Sequence, residues 1–202
     1  MGQEDLTFVA LYNYTKALAL ALGHRDLLTR LHSDRVSGLA GEIAVVFGMT
    51  KKDLAILKLA ALFHDIGKIG IPDAILLNPS KHDAAEWAKM KEHSTIGENI
   101  LSAVEIEDSP RASKVVRHHH EYYNGQGYPD NLIGEDIPIC SRIISIADSY
   151  DAMAVTRSYH RARTHSEIMS ILESETGVKH DPNLMQIFCR IIESSKFKAA
   201  SN

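Results

Sequence analysis

Leu62-Phe63-His64-Asp65-Ile66-Gly67-Lys68 sets a histidine and a carboxylate at the end of an apolar run, with a glycine and a lysine directly after them. Upstream, Leu54, Leu57, Ala61 and Leu62 recur at helical spacing, and Thr50 with Asp53 has the spacing of an N-terminal cap. The pair therefore closes a helix that has a buried face. An aspartate there is costly to desolvate unless a buried basic side chain or a metal ion meets it. A salt-bridged Asp beside a satisfied His is the plain alternative. Against it stand three more places where ligand-type residues adjoin apolar segments. His93 follows a helical stretch, His118-His119-His120-Glu121 ends another, and Asp148 follows the apolar run Ile143-Ile144-Ser145-Ile146-Ala147.

Working outward, the chain reads as helix after helix. Asp5 to Leu22 carries Phe8, Leu11, Tyr12, Leu18 and Leu22 on one face, widened by Val9, Leu20 and Ala21. A stripe that wide fits a homodimer contact or a linker helix, as well as packing on the chain's own domain. His24 to Leu31 reads as a polar connection. Ser33 then caps a helix through Val36, Leu39, Ala40, Ile43 and Phe47 to a stop at Gly48. Pro72 and Pro79 bracket one short helix, Asp83 to Met90 is helical with Trp87 on its apolar side, and His93 to Leu101 continues or restarts it.

Ser109-Pro110 opens the helix that ends at the histidines, and Asn124-Gly125-Gln126-Gly127-Tyr128-Pro129 is a turn-rich loop. Pro138 starts a helix to about Met153. Thr164 with Glu167 forms a capping box, and Asp181-Pro182 starts a last helix with Leu184, Ile187, Phe188 and Ile191 facing the core. No stretch alternates as a strand does, so the fold class is all-α in a single domain. Residues 196–202 lose the apolar pattern and are expected to fray.

At 202 residues and 45% hydrophobic composition the chain has enough material for one sizeable core. A net charge of −4 gives no basic surface for a nucleic acid polymer or a membrane. Ala17 to Leu22 is too short an apolar run to span a bilayer. Two cysteines, Cys140 and Cys189, are too few for a disulfide framework, and a reducing, cytoplasmic setting is expected.

Taken together, His64-Asp65-Ile66-Gly67-Lys68, His93, His119-His120-Glu121, Gly125-Gln126-Gly127-Tyr128-Pro129 and the segment from Ile144 to Met153 with Asp148 and Asp151 resemble the HD-GYP family of cyclic di-GMP phosphodiesterases. The resemblance runs from about His32 to Pro182. It implies a helical bundle of the HD phosphohydrolase type over residues 23–195, with residues 1–22 as a dimerisation or linker helix to which an upstream sensory or synthase domain would attach. By the same resemblance His64, Asp65, His93, His119, His120 and Asp148 hold two divalent metal ions, with Asp65 as the bridge. Iron or manganese is expected, and zinc, nickel or magnesium also suits such ligands.

The implied reaction is hydrolysis of cyclic di-GMP to pGpG, and onward to GMP, by metal-activated water. Asp65 and Lys68 are its catalytic residues; Lys68, Tyr128 and Arg157 contact the substrate. His118 reads as a surface or outer residue, because adjacent histidines on a helix point in different directions. Glu121 is expected to orient a ligand histidine or to cap a helix end, and Asp151 to be structural. The chain differs from the family pattern at Ser94 and Ser158, where proline is usual, and at His160, where some relatives carry a phosphate-sharing basic side chain. Leu28 stands where relatives with a third metal carry a glutamate, so His32 is expected to be an outer or substrate contact. Two other functions stay open: a cyclic di-GMP sensor or interaction module with little turnover, and a hydrolase of another cyclic dinucleotide or nucleotide.

Overall fold

The structure is a computed structural model that describes residues 27–104, 108–155 and 161–200. The stripe over residues 5–22 and the positions Arg157, Ser158 and His160 lie outside the described residues, as does the side chain of Leu28.

Helix α1, Leu27–Phe47, includes residues 27–31, the described part of the stretch expected to be a polar connection. Leucine and arginine are good helix formers, and Ser33 lies buried inside the helix rather than capping it. One face of α1, with Val36, Leu39, Ala40 and Ile43, is the centre of the core. It packs against α2 (Lys51–Phe63), α7 (Ile139–Ala154) and α9 (Pro182–Ile192). As expected, the Thr50 hydroxyl accepts from the Asp53 amide at 3.1 Å to start α2. The Asp181 carboxylate caps α9 in the same way, accepting from the Asn183 amide at 2.8 Å. The buried face of α9 is Leu184, Met185, Phe188 and Ile192, one position off the stripe expected from Ile187 and Ile191, both of which are only partly buried.

After α2 come a 3-10 turn, Ile66–Gly70, and the short helix α3, Asp73–Leu76. Helix α4, Ala84–Lys91, is followed at once by α5, His93–Ser102, which packs on both the 3-10 turn and α6, Ser109–Arg117. Helix α8, His165–Ser174, carries the expected Thr164–Glu167 capping box. Helix α4 buries none of its residues, and Trp87, expected on an apolar face, is 47% exposed. Among the described residues there is no strand, only isolated bridges at Asn124 with Ile133 and Thr176 with His180. Nor, among them, is any helix long and apolar enough to cross a membrane.

The tail, expected to fray, is packed as far as Ala200. Phe197 covers Gly38 so closely that a Cβ there would lie 2.2 Å from its ring. Tyr150 Oη accepts from the Ala199 amide at 2.9 Å, and the Ala200 carbonyl accepts from the His165 amide at 3.0 Å. A lone aromatic anchor in a polar segment leaves no periodic trace, which is why the sequence pattern misses it.

Candidate metal centre

Helix ends build the site. The carbonyls of a helix's last turn have no partner within the helix, and three histidines supply one. His64 Nδ1 donates to the Ala61 carbonyl at 2.7 Å, His93 Nδ1 to Met90 at 2.7 Å, and His119 Nδ1 to Val116 at 2.6 Å. A carbonyl can only accept, so each ring carries a proton on Nδ1 and points its Nε2 inward. His64 Nε2 is buried with no hydrogen-bond partner. His93 Nε2 and His119 Nε2 stand 3.3 Å apart. Burial pushes the His93 imidazole below its ordinary pKa and that of His119 down to about 3, so both rings are neutral and their lone pairs face each other. A cation between them is the chemistry that such an arrangement satisfies.

Among the described residues three groups of ligand-type atoms lie within 4.8 Å of one another: His93, His119 and His120; His32, His64 and Asp148; and, on the far side of the loop after His120, His118, Glu121 and Asp130. Asp65 lies between the first two, Oδ1 at 3.7 Å from His93 Nε2 and Oδ2 at 3.5 Å from His64 Nε2. Burial alone would raise the Asp65 carboxyl. The Lys68 ammonium, 2.6 Å from Oδ2, and the imidazoles around it reverse this and hold it well below the usual carboxylate range. All six residues expected as ligands are thus brought together, His64 and Asp148 with His32 on one side, His93, His119 and His120 on the other, and Asp65 between them. These donors, mixed imidazole and carboxylate, fit divalent cations.

His32 joins the site from within α1. Because α1 is continuous, His32 faces α7, and its Nε2 is 2.9 Å from Asp148 Oδ1 while its Nδ1 is 2.7 Å from Asp151 Oδ2. It therefore lies within reach of His64 and Asp148, placed either to bind an ion directly or to orient the Asp148 carboxylate. Asp151 is fixed in turn by Arg35, at 2.6 and 2.9 Å. Burial would depress the His32 imidazole, but its hydrogen bonds to the two carboxylates override burial and lift it to about 9. A divalent cation at Nε2 would replace that proton, and Asp151 would keep the ring oriented through Nδ1.

The loop after His120 is folded back over this centre. A Cβ on Gly127 would lie 2.2 Å from the Tyr122 amide nitrogen and 2.5 Å from the His120 carbonyl oxygen, so lack of space, rather than an unusual backbone angle, demands glycine there. Glu121 takes neither expected role. It accepts from the Asp130 and Leu132 amides at 2.7 and 3.1 Å and so pins the loop's far side. His118 is, as expected, outside the centre, 2.8 Å from Asp130, which also receives Arg117 at 2.6 and 2.8 Å. These ties place Tyr128 over the histidines, its ring centroid 4.9 Å from that of His120, and burial pushes its phenol above the ordinary value.

A family model described as an HD domain matches residues 16–184. The chain is 37% identical over 188 residues to a cyclic di-GMP phosphodiesterase of Thermotoga maritima, covering 93% of this chain and 50% of that one. It is also 37% identical over 170 residues to 3'3'-cGAMP-specific phosphodiesterase 2 of Vibrio cholerae, covering 84% of this chain and 33% of that one. The chain thus spans half or less of the length of these curated relatives. In fold it is similar to Bd1817, an HDG"Y"P protein from Bdellovibrio bacteriovorus, with a TM-score of 0.68 at 21% identity over 94% of this chain and 62% of that one.

Proposed function

From the premise that the chain belongs to the HD domain family, we propose that it is a metal-dependent phosphodiesterase that opens cyclic di-GMP to pGpG. The observation that carries this reading is the Asp65 carboxylate, with one oxygen turned to each group of histidines. Such a carboxylate suits two ions, one held by His32, His64 and Asp148 and the other by His93, His119 and His120. Bound ions would supply the Lewis acidity that lets water act as the nucleophile near neutral pH. Iron and manganese are the metals we favour on this ligand set.

In the reaction water adds to phosphorus and the P–O3′ bond breaks, leaving a linear dinucleotide with a 5′-phosphate. Lys68, at the rim with its side chain 20% exposed, turns from Asp65 to a phosphate oxygen as a compact positive charge. Tyr128 bounds the substrate over His120, and Arg157 takes a second phosphate oxygen. Buried Cys140 and half-buried Cys189 are free thiols, in keeping with a reducing cytoplasm. The apolar stripe of residues 5–22 supports a homodimer contact or attachment to a sensory or synthase domain.

A second substrate is favoured by one observation: the relative named for 3'3'-cGAMP is as similar as the one named for cyclic di-GMP. Both nucleotides are to be incubated with metal-loaded protein and the products resolved by chromatography. Linear pGpG from cyclic di-GMP is the expected result. Binding without product would favour the sensor reading, and faster opening of 3'3'-cGAMP the other hydrolase. In the same assay Lys68→Ala is expected to keep its metal and to lose at least about tenfold in kcat. Loss of the metal instead would make Lys68 a support of the ligand Asp65.

A further inference from the structure

Helix α4 contributes nothing to the core, yet it carries the chain's single tryptophan, half-exposed at Trp87. Isolated apolar residues on a surface are ordinary. The surroundings of this one are not. Trp87 meets Tyr128 edge to face, with centroids 6.3 Å apart at 84°. Lys91, one helical turn on along the same face, holds its ammonium 5.7 Å from the centre of the Tyr128 ring. Tyr128 in turn lies over His120 and edge-on to His93, 6.5 Å away. A row of rings thus leads out of the centre, from buried imidazoles through a half-buried phenol to an indole open to solvent, with a positive charge beside it.

In a dinucleotide each base is one sugar away from its phosphate. A phosphate at the centre therefore puts a base among these outer rings. Aromatic side chains stack nucleobases strongly, and a nearby cation draws the sugar–phosphate chain to the same place. We propose that the solvent-facing indole of Trp87 is the stacking platform for one purine of the substrate, with Tyr128 fixing the indole and Lys91 meeting the backbone charge. The inference rests on the cyclic dinucleotide reading of the site.

Because Trp87 is the only tryptophan, its emission reports on the platform without a label. Metal-loaded protein is to be mixed rapidly with cyclic di-GMP, and emission followed before turnover. A saturable drop is expected, with no drop on adding inorganic phosphate alone. Trp87→Ala is expected to raise KM by about tenfold or more while leaving kcat, metal content and melting temperature nearly unchanged, and Trp87→Phe to recover most of the loss. Unchanged emission while the nucleotide is bound and cleaved, or an unchanged KM in Trp87→Ala, would overturn the platform and leave the hydrolase reading standing. A drop in emission with nucleotide bound but never cleaved would keep the platform and remove the hydrolase. Absence of binding to either cyclic dinucleotide would overturn both.

Discussion

Asp65→Ala is expected to lower kcat by at least about a thousandfold, on the order of 4 kcal/mol of barrier, and to reduce the metal bound per chain. Its carboxylate is buried and turns one oxygen to each group of ligand atoms, and the group of His93, His119 and His120 brings no negative charge of its own to balance a cation. Asp148 serves only the side of His32 and His64. The fold should survive the change, because the substitution removes a buried charge and Lys68, at the rim, can turn its ammonium to water. Circular dichroism and melting would establish that the chain is intact, and metal analysis with the product assay would read the rest. Near-normal turnover with full metal content would exclude the bridging role.

The second large effect is on the frame and not on a ligand. Gly67→Ala would set a Cβ 1.8 Å from the His93 carbonyl oxygen and 2.6 Å from the Gly97 amide nitrogen. Both are backbone atoms of α5, so no side chain can swing aside; the 3-10 turn must part from the helix. Overpacking of this kind costs about 3 kcal/mol, which for a chain of this size is a fall of roughly 6–12 °C in melting temperature. Since the turn follows Asp65 and α5 begins at His93, the same displacement should weaken metal binding on the side of His93, His119 and His120. Gly41→Ala is the control. Its nearest neighbour is the flexible end of Lys58 at 3.1 Å, and alanine within α1 should be neutral or stabilise by about 0.5 kcal/mol. Equal melting of the two variants would show that the contact between Gly67 and His93 is not the constraint proposed.

Features whose partners lie close in sequence were legible before the structure. Thr50 with Asp53, Thr164 with Glu167 and Asp181 with its following amides are local devices, and each stands where the spacing puts it. The six positions proposed as ligands came from the family resemblance, and the residues by themselves showed only that ligand-type side chains adjoin apolar or helical stretches. The pairing of His32 was not legible, since its partners Asp148 and Asp151 are more than a hundred residues away and its own helix offers no ligand-type neighbour one turn earlier. Its signal was present in Asp151, one turn beyond Asp148 on α7 and unexplained there until paired with a second side chain. Glu121 shows the same limit. Its acceptors' partners, the amides of Asp130 and Leu132, belong to a loop whose return path has no periodicity to read. The tail anchored by Phe197 and the exposed Trp87 both depend on tertiary surroundings, which a helical stripe does not report.

The most direct test of a binuclear centre bridged by Asp65 is anomalous diffraction from crystals of the metal-loaded chain. Two peaks are expected, one within bonding reach of His32, His64 and Asp148 and the other of His93, His119 and His120, with an Asp65 oxygen on each. A single peak, an Asp65 that touches only one ion, or a first ion that His32 does not ligate would contradict it.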